Sequence, residues 1–174
     1  MGCGSDVHTG HRRVDKGAHV TNWRNSPSAR GPIKRWLTAS GSLSARLAST
    51  GKRFSVQVLR QGRAPLNPEE AVALGLGHQR TGYARELLLR LDGLPVVFAR
   101  SVTAHHNANG AWRAVQGLGS RPLADVLFKR SGISRQPLSF SCLARCSPMQ
   151  RHATKAWVNR SGARVADTAL HARK

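Results

Sequence analysis

Residues 85–102 read RELLLRLDGLPVVFARSV, two apolar runs set around Asp92-Gly93. Asp-Gly favours a two-residue type I′ hairpin, because both central positions need a positive φ. With those two residues as the loop, the expected register puts Leu91 opposite Leu94, Leu89 opposite Val96, Leu87 opposite Phe98 and Arg85 opposite Arg100. Side chains alternate between the faces of a strand, so Arg85, Leu87, Leu89 and Leu91 share one face, completed by Leu94, Val96, Phe98 and Arg100. That face is apolar except for two opposed cations. Like charges across a strand pair are destabilising, and a buried guanidinium without a partner costs more still. Either both arginines reach solvent at the end of the sheet, or an anion belongs between them.

The surrounding pattern supplies the other elements. Ser42 ahead of Leu43 and Leu47 predicts a short capped helix. Phe54, Val56 and Val58 alternate with Ser55, Gln57 and Leu59 as a strand with one apolar face. Asn67-Pro68-Glu69-Glu70 starts a helix: a capping side chain, proline at the first position and acids against the helix dipole. It should stop near Gly75 to Gly77. Asn109 is expected to cap a helix through Trp112 and Val115, and Pro122 to open a second, LADVLF. Leu138, Phe140 and Cys142 suggest one more strand, whereas residues 144–174 show little period apart from Trp157. Strands and helices mixed around a tight hairpin imply an α+β domain with a mainly antiparallel sheet.

Composition limits what the chain can do. Its 174 residues suit one domain, and 40% hydrophobic content suffices for a core. Of the net charge of +20, residues 1–35 carry +5 and residues 129–174 carry +9. Residues 1–35, rich in Gly, Ser, Asn, His and Arg, read as a basic arm without fixed structure, with order expected from Trp36 and the domain covering 36–174. The charge would attract any polyanion at low salt. No zinc-finger, RNP or KH pattern accompanies it, so specific nucleic-acid binding is not expected. No apolar stretch is long enough to cross a bilayer. Cys3, Cys142 and Cys146 make an odd number without a secretory signal, which suggests the cytoplasm. MGCGSD has Asp6 where a myristoylation signal needs Ser or Thr. Cys142, Cys146 and His152 are irregularly spaced and lack an evident fourth ligand, so no metal is expected.

Six blocks in order, WLTASGSLSARL (36–47), RFSVQVL (53–59), ARELLLRLDGLPVVFARSV (84–102), GLGSRPLADVLF (117–128), SRQPLSF (134–140) and WVNRS (157–161), resemble the chorismate pyruvate-lyase family. The resemblance covers roughly residues 36–161. It implies a single α+β domain with about six antiparallel strands, helical flaps over an enclosed site, and no metal or organic cofactor. It implies cleavage of chorismate to 4-hydroxybenzoate and pyruvate, the first step of ubiquinone synthesis, by a cytoplasmic protein expected to be a monomer. The family's substrate-carboxylate arginine falls on Arg85. Arg100, in FARS, is expected as a second electropositive group, and backbone contacts to the ligand fall on Leu123 and Leu43.

The C-terminal end departs from the family. Without gaps, the glutamate that meets the ligand hydroxyl falls on Lys174, and the basic pair after the tryptophan becomes Asn159-Arg160. Asp167 is the sole acid after Asp125 and stands too early to substitute. A divergent or truncated end at about 162–174 is therefore expected, leaving an unpaired sheet edge. A non-catalytic ligand-binding module of the same fold and a basic nucleic-acid-binding protein are the alternatives.

Overall fold

The computed structural model describes residues 23–77, 81–110, 112–127, 136–143, 147–161 and 170–173. Helices α1 (Gly31–Thr38) and α2 (Leu43–Ala48) precede strand β1 (Phe54–Pro65), helix α3 (Pro68–Ala73) and strands β2 (Thr81–Leu91) and β3 (Leu94–Thr103). Short helices α4 (Arg113–Gln116) and α5 (Ala124–Leu127) follow, then β4 (Ser139–Cys142), α6 (Pro148–Ser161) and β5 (Leu170–Arg173). Five strands are found among the described residues. They form an antiparallel sheet in the order β1-β2-β3 and an antiparallel pair, β4-β5.

The hairpin turns on Asp92 and Gly93 with φ of 50° and 79°, as a type I′ loop requires. Leu91 faces Leu94, but the expected register fails after the next pair. Arg90 pairs with Pro95 and Leu89 with Val97, leaving Val96 as an unpaired extra residue. A bulge thus forms beside the turn, where the Arg90 Nε donates to the Gly93 carbonyl at 2.7 Å. Every later pair shifts by one: Arg85 stands opposite Ser101, and Arg100 opposite Glu86. The two arginines therefore lie on opposite faces of the sheet, and the expected pair of opposed cations does not exist.

A second bulge, at Leu59, lies between the Val58–Leu87 and Arg60–Glu86 pairs. Beyond it β1 runs on to Pro65, through a polar stretch that carries no alternation. With both bulges in place, one face of the sheet collects Phe54, Val56, Leu87, Leu89, Leu91, Val97 and Ala99, and Leu47 of α2 packs on it. Leu88 and Phe98 are paired on the other face. Gly82 lets β2 and β3 approach closely, since a Cβ there would lie 2.6 Å from the Thr103 carbonyl oxygen.

The helix starts at Ser42 and Asn67 are as expected. The Ala45 N–H donates to Ser42 Oγ at 3.2 Å, and the Asn67 N–H to Glu70 Oε2 at 2.9 Å. Asn109 does not cap α4, whose first flanking residue is Trp112. Periodic structure starts earlier than Trp36, with α1 beginning at Gly31 and Arg24 forming an antiparallel bridge to Phe140. Helix α6 was not legible from periodicity, because polar residues occur all around it. Its start does carry a signal: Ser147 Oγ accepts the Gln150 N–H at 3.1 Å, and Pro148 takes the first helical position. Asp167 and Lys174 lie outside the described residues, as do Cys3 and Cys146. No group of three or more potential metal ligands occurs among the described residues, and no helix there is long and apolar enough to cross a membrane.

Candidate active site

Arg85 sits where the apolar layer of the sheet ends, in a cross-strand row with Gln61 and Ser101. It is 1% exposed. The segment after α4 folds over it, and one guanidinium nitrogen donates to the carbonyls of Gly119 and Arg121, at 2.8 and 2.9 Å. Gln61 fastens the same cover by donating to the Gln116 carbonyl at 2.8 Å. Val115 and Leu118, both buried, close this end against water. No carboxylate among the described residues pairs with Arg85, and its Nε has no hydrogen-bond partner.

Among the described residues this arrangement is electrostatically incomplete. Two carbonyl oxygens supply partial charge, whereas burying a full cation calls for an anion. Burial accordingly lowers the Arg85 pKa from its ordinary value, with Tyr83 acting weakly in the opposite direction. A ligand carboxylate would remove the deficit, since a guanidinium offers a planar fork of donors that matches two carboxylate oxygens.

Leu123 follows the Arg121 carbonyl by two residues, at the start of α5, where its own carbonyl accepts the Val126 N–H at 3.0 Å. Leu43 is the first residue of α2 and is 39% exposed. Its helix covers the same sheet face as Arg85 through Leu47. Both leucines thus belong to segments that roof one face of the sheet.

Arg100 does not join them. On the opposite face it pairs with Glu70, its Nε lying 2.8 Å from Oε1, and with Glu86, and donates to the Pro65 carbonyl. Desolvation pulls the Arg100 pKa down, but the hydrogen bonds and charges of Glu70 and Glu86 outweigh it, and the net shift is upward. The expectation of a second free cation beside Arg85 is corrected: the bulge at Val96 turns Arg100 away, and two acids neutralise it. His152 of α6 adds a contact of 3.0 Å to Glu86 Oε2, and its ring lies 5.7 Å from that of Phe98. A cleft of about 120 Å³ opens here, lined by Arg60, Phe98, Arg100, Met149 and His152, with the sheet between it and Arg85. Sequence reading missed this polar cluster. In the sequence Glu70 reads as a helix-start acid, and the signal for Glu86 is an acid inside an apolar strand.

An antiparallel α+β fold with a covered arginine that has no acid partner among the described residues fits the class of proteins that hold a small organic anion. The comparisons narrow that class. Residues 21–172 match the family described as Chorismate lyase, and the chain belongs to that family. It is 55% identical over 152 residues to the probable chorismate pyruvate-lyase of Albidiferax ferrireducens, covering 87% of this chain and 77% of that protein. The probable chorismate pyruvate-lyase of Aromatoleum aromaticum is 47% identical over 130 residues, covering 73% and 70%. One from Pseudomonas fluorescens, probable chorismate pyruvate-lyase 1, is 36% identical over 129 residues, covering 73% and 69%.

Proposed function

We propose that this chain is a lyase that converts chorismate to 4-hydroxybenzoate and pyruvate, the reaction for which its relatives are named, with Arg85 holding the ring carboxylate. The observation that carries the assignment of Arg85 is its burial without an acid partner among the described residues. In the reaction the ether C–O bond to the ring breaks, the neighbouring hydroxyl-bearing carbon loses its hydrogen, and the ring becomes aromatic. The released enolate becomes pyruvate when its methylene carbon takes up a proton, which balances the one lost from the ring. Aromatisation makes the change strongly downhill, so the protein's main task is to hold the ether in an eliminating geometry away from water. Arg85 fixes one end of the substrate. Leu123 and Leu43, in the segments roofing that sheet face, supply backbone and apolar contacts to the ring. The cytoplasm is the compartment this reading assigns, and residues 36–174 are the catalytic domain.

The test is to incubate the purified chain with chorismate and follow 4-hydroxybenzoate by chromatography, alongside Arg85→Ala. Product from the wild type alone supports the lyase. If the folded wild type gives no product yet binds 4-hydroxybenzoate through Arg85, the chain is a binding module and the catalytic reading is overturned.

A further inference from the structure

We propose that α1 is a docking element for an anionic lipid bilayer surface. The helix, GPIKRWLT, places Ile33, Trp36 and Leu37 at i, i+3 and i+4 on one side, while Lys34 and Arg35 occupy the other. None of its residues is buried, and Ile33 and Trp36 are 48% and 36% exposed. An exposed tryptophan beside an isoleucine needs an occupant, and the charge around them says which kind. No Asp or Glu stands between Asp15 and Glu69 in the sequence. Arg30 flanks the helix start, and the guanidinium of Arg46 on α2 lies 4.5 Å from the centre of the Trp36 ring while donating to the Trp36 carbonyl at 3.0 Å.

An apolar strip rimmed by cations matches the headgroup region of an acidic membrane. The strip enters the acyl boundary, tryptophan sits at the interface, and the bases meet lipid phosphates. Eight residues carry too little apolar area to hold a protein on a neutral bilayer, so attachment requires both signals together. A nucleic acid would use the bases but leave Ile33 and the Trp36 edge unsatisfied. A second copy of this chain would bring cations against cations.

The experiment is co-sedimentation of the full chain with vesicles of phosphatidylglycerol and phosphatidylcholine in equal parts, and with vesicles of phosphatidylcholine alone. The expected result is binding to the acidic vesicles only, weakened by salt, and weakened about tenfold or more at fixed salt by Ile33→Ser or Trp36→Ser. Circular dichroism verifies that each variant is folded. Because Trp36 also contacts Arg46, Ile33→Ser decides the matter if Trp36→Ser does not fold. Binding that is unchanged by Ile33→Ser reports bulk charge alone and overturns the proposal. Absence of binding to acidic vesicles overturns it too, as does a dimer that dissociates in Ile33→Ser or RNA binding that falls in that variant while vesicles are ignored.

Discussion

Arg85 and Glu86 are neighbours on β2, at 1% and 4% exposure, and they serve opposite faces of one sheet. Glu86 meets Arg100 and His152, so its charge is answered within the chain. Among the described residues Arg85 meets carbonyl oxygens and no carboxylate. Of these two adjacent buried charges, one is paired within an ionic cluster and the other has no acid partner among the described residues.

Replacing Arg85 with methionine tests that division. Loss of a charge-assisted pair should weaken 4-hydroxybenzoate binding by about 1.5–3 kcal/mol or more. The carbonyls of Gly119 and Arg121 lose their donor, at about 1–3 kcal/mol, but relief from burying a cation offsets that cost. Calorimetric titration should therefore show lost affinity while the melting temperature moves by only a few degrees. A fall beyond about 10 °C would give Arg85 a structural role instead.

Glu86→Ala should behave in the opposite way. It leaves Arg100 buried with Glu70 as its remaining acid, and removing one member of a buried ionic group costs about 3–5 kcal/mol. Combining it with Arg100→Met should cost less than the sum of the single changes, because the stranded cation is gone. Urea unfolding of the four chains measures the coupling. Strict additivity would show that the pair is energetically inert.

The pH dependence of binding follows from the direction of the Arg85 shift. A lowered arginine pKa means that the proton leaves at lower pH than in a free arginine, so any effect must appear as affinity lost on the alkaline side. The ordinary arginine value lies far on the alkaline side of neutrality. Product binding should accordingly stay level between about pH 6 and 9, and ligand binding should raise the Arg85 pKa. An alkaline loss within that window would identify another titrating group as the carboxylate partner.

Leu89→Ala probes the core under α2. Leu89 is buried against Leu47, and truncation should cost about 2–5 kcal/mol. Val72→Ser, at a residue 75% exposed, should change stability by less than about 0.5 kcal/mol. Thermal denaturation of both compares a buried with an open site. Equal effects would mean that the face bearing Leu89 is not the core.

Much of this was readable from local chemistry. Asp92-Gly93 gave the turn, Ser42 and Asn67 the helix starts, and alternation from Phe54 to Val58 the apolar face of β1. Arg85 stood out because a cation interrupted an apolar face. The placement of Arg100 was not readable from spacing, since a bulge is a choice between two hydrogen-bond ladders that differ by one residue. Pro95 hinted at that choice without deciding it. Helix α6 escaped for a different reason: without an apolar stripe, only Ser147-Pro148 marked its start.

Val96, the extra residue of the bulge, acts as a spacer that sorts the two ionic groups. Substituting it leaves the count of residues intact and should leave the hairpin's two faces as they are. Deleting it would interchange the faces of β3 from Val97 onward, driving Arg100 into the apolar layer and Ala99 out of it. Over evolutionary time this hairpin can therefore vary in side-chain identity far more freely than in length, and an insertion or deletion between Gly93 and Val97 is the change it should tolerate least.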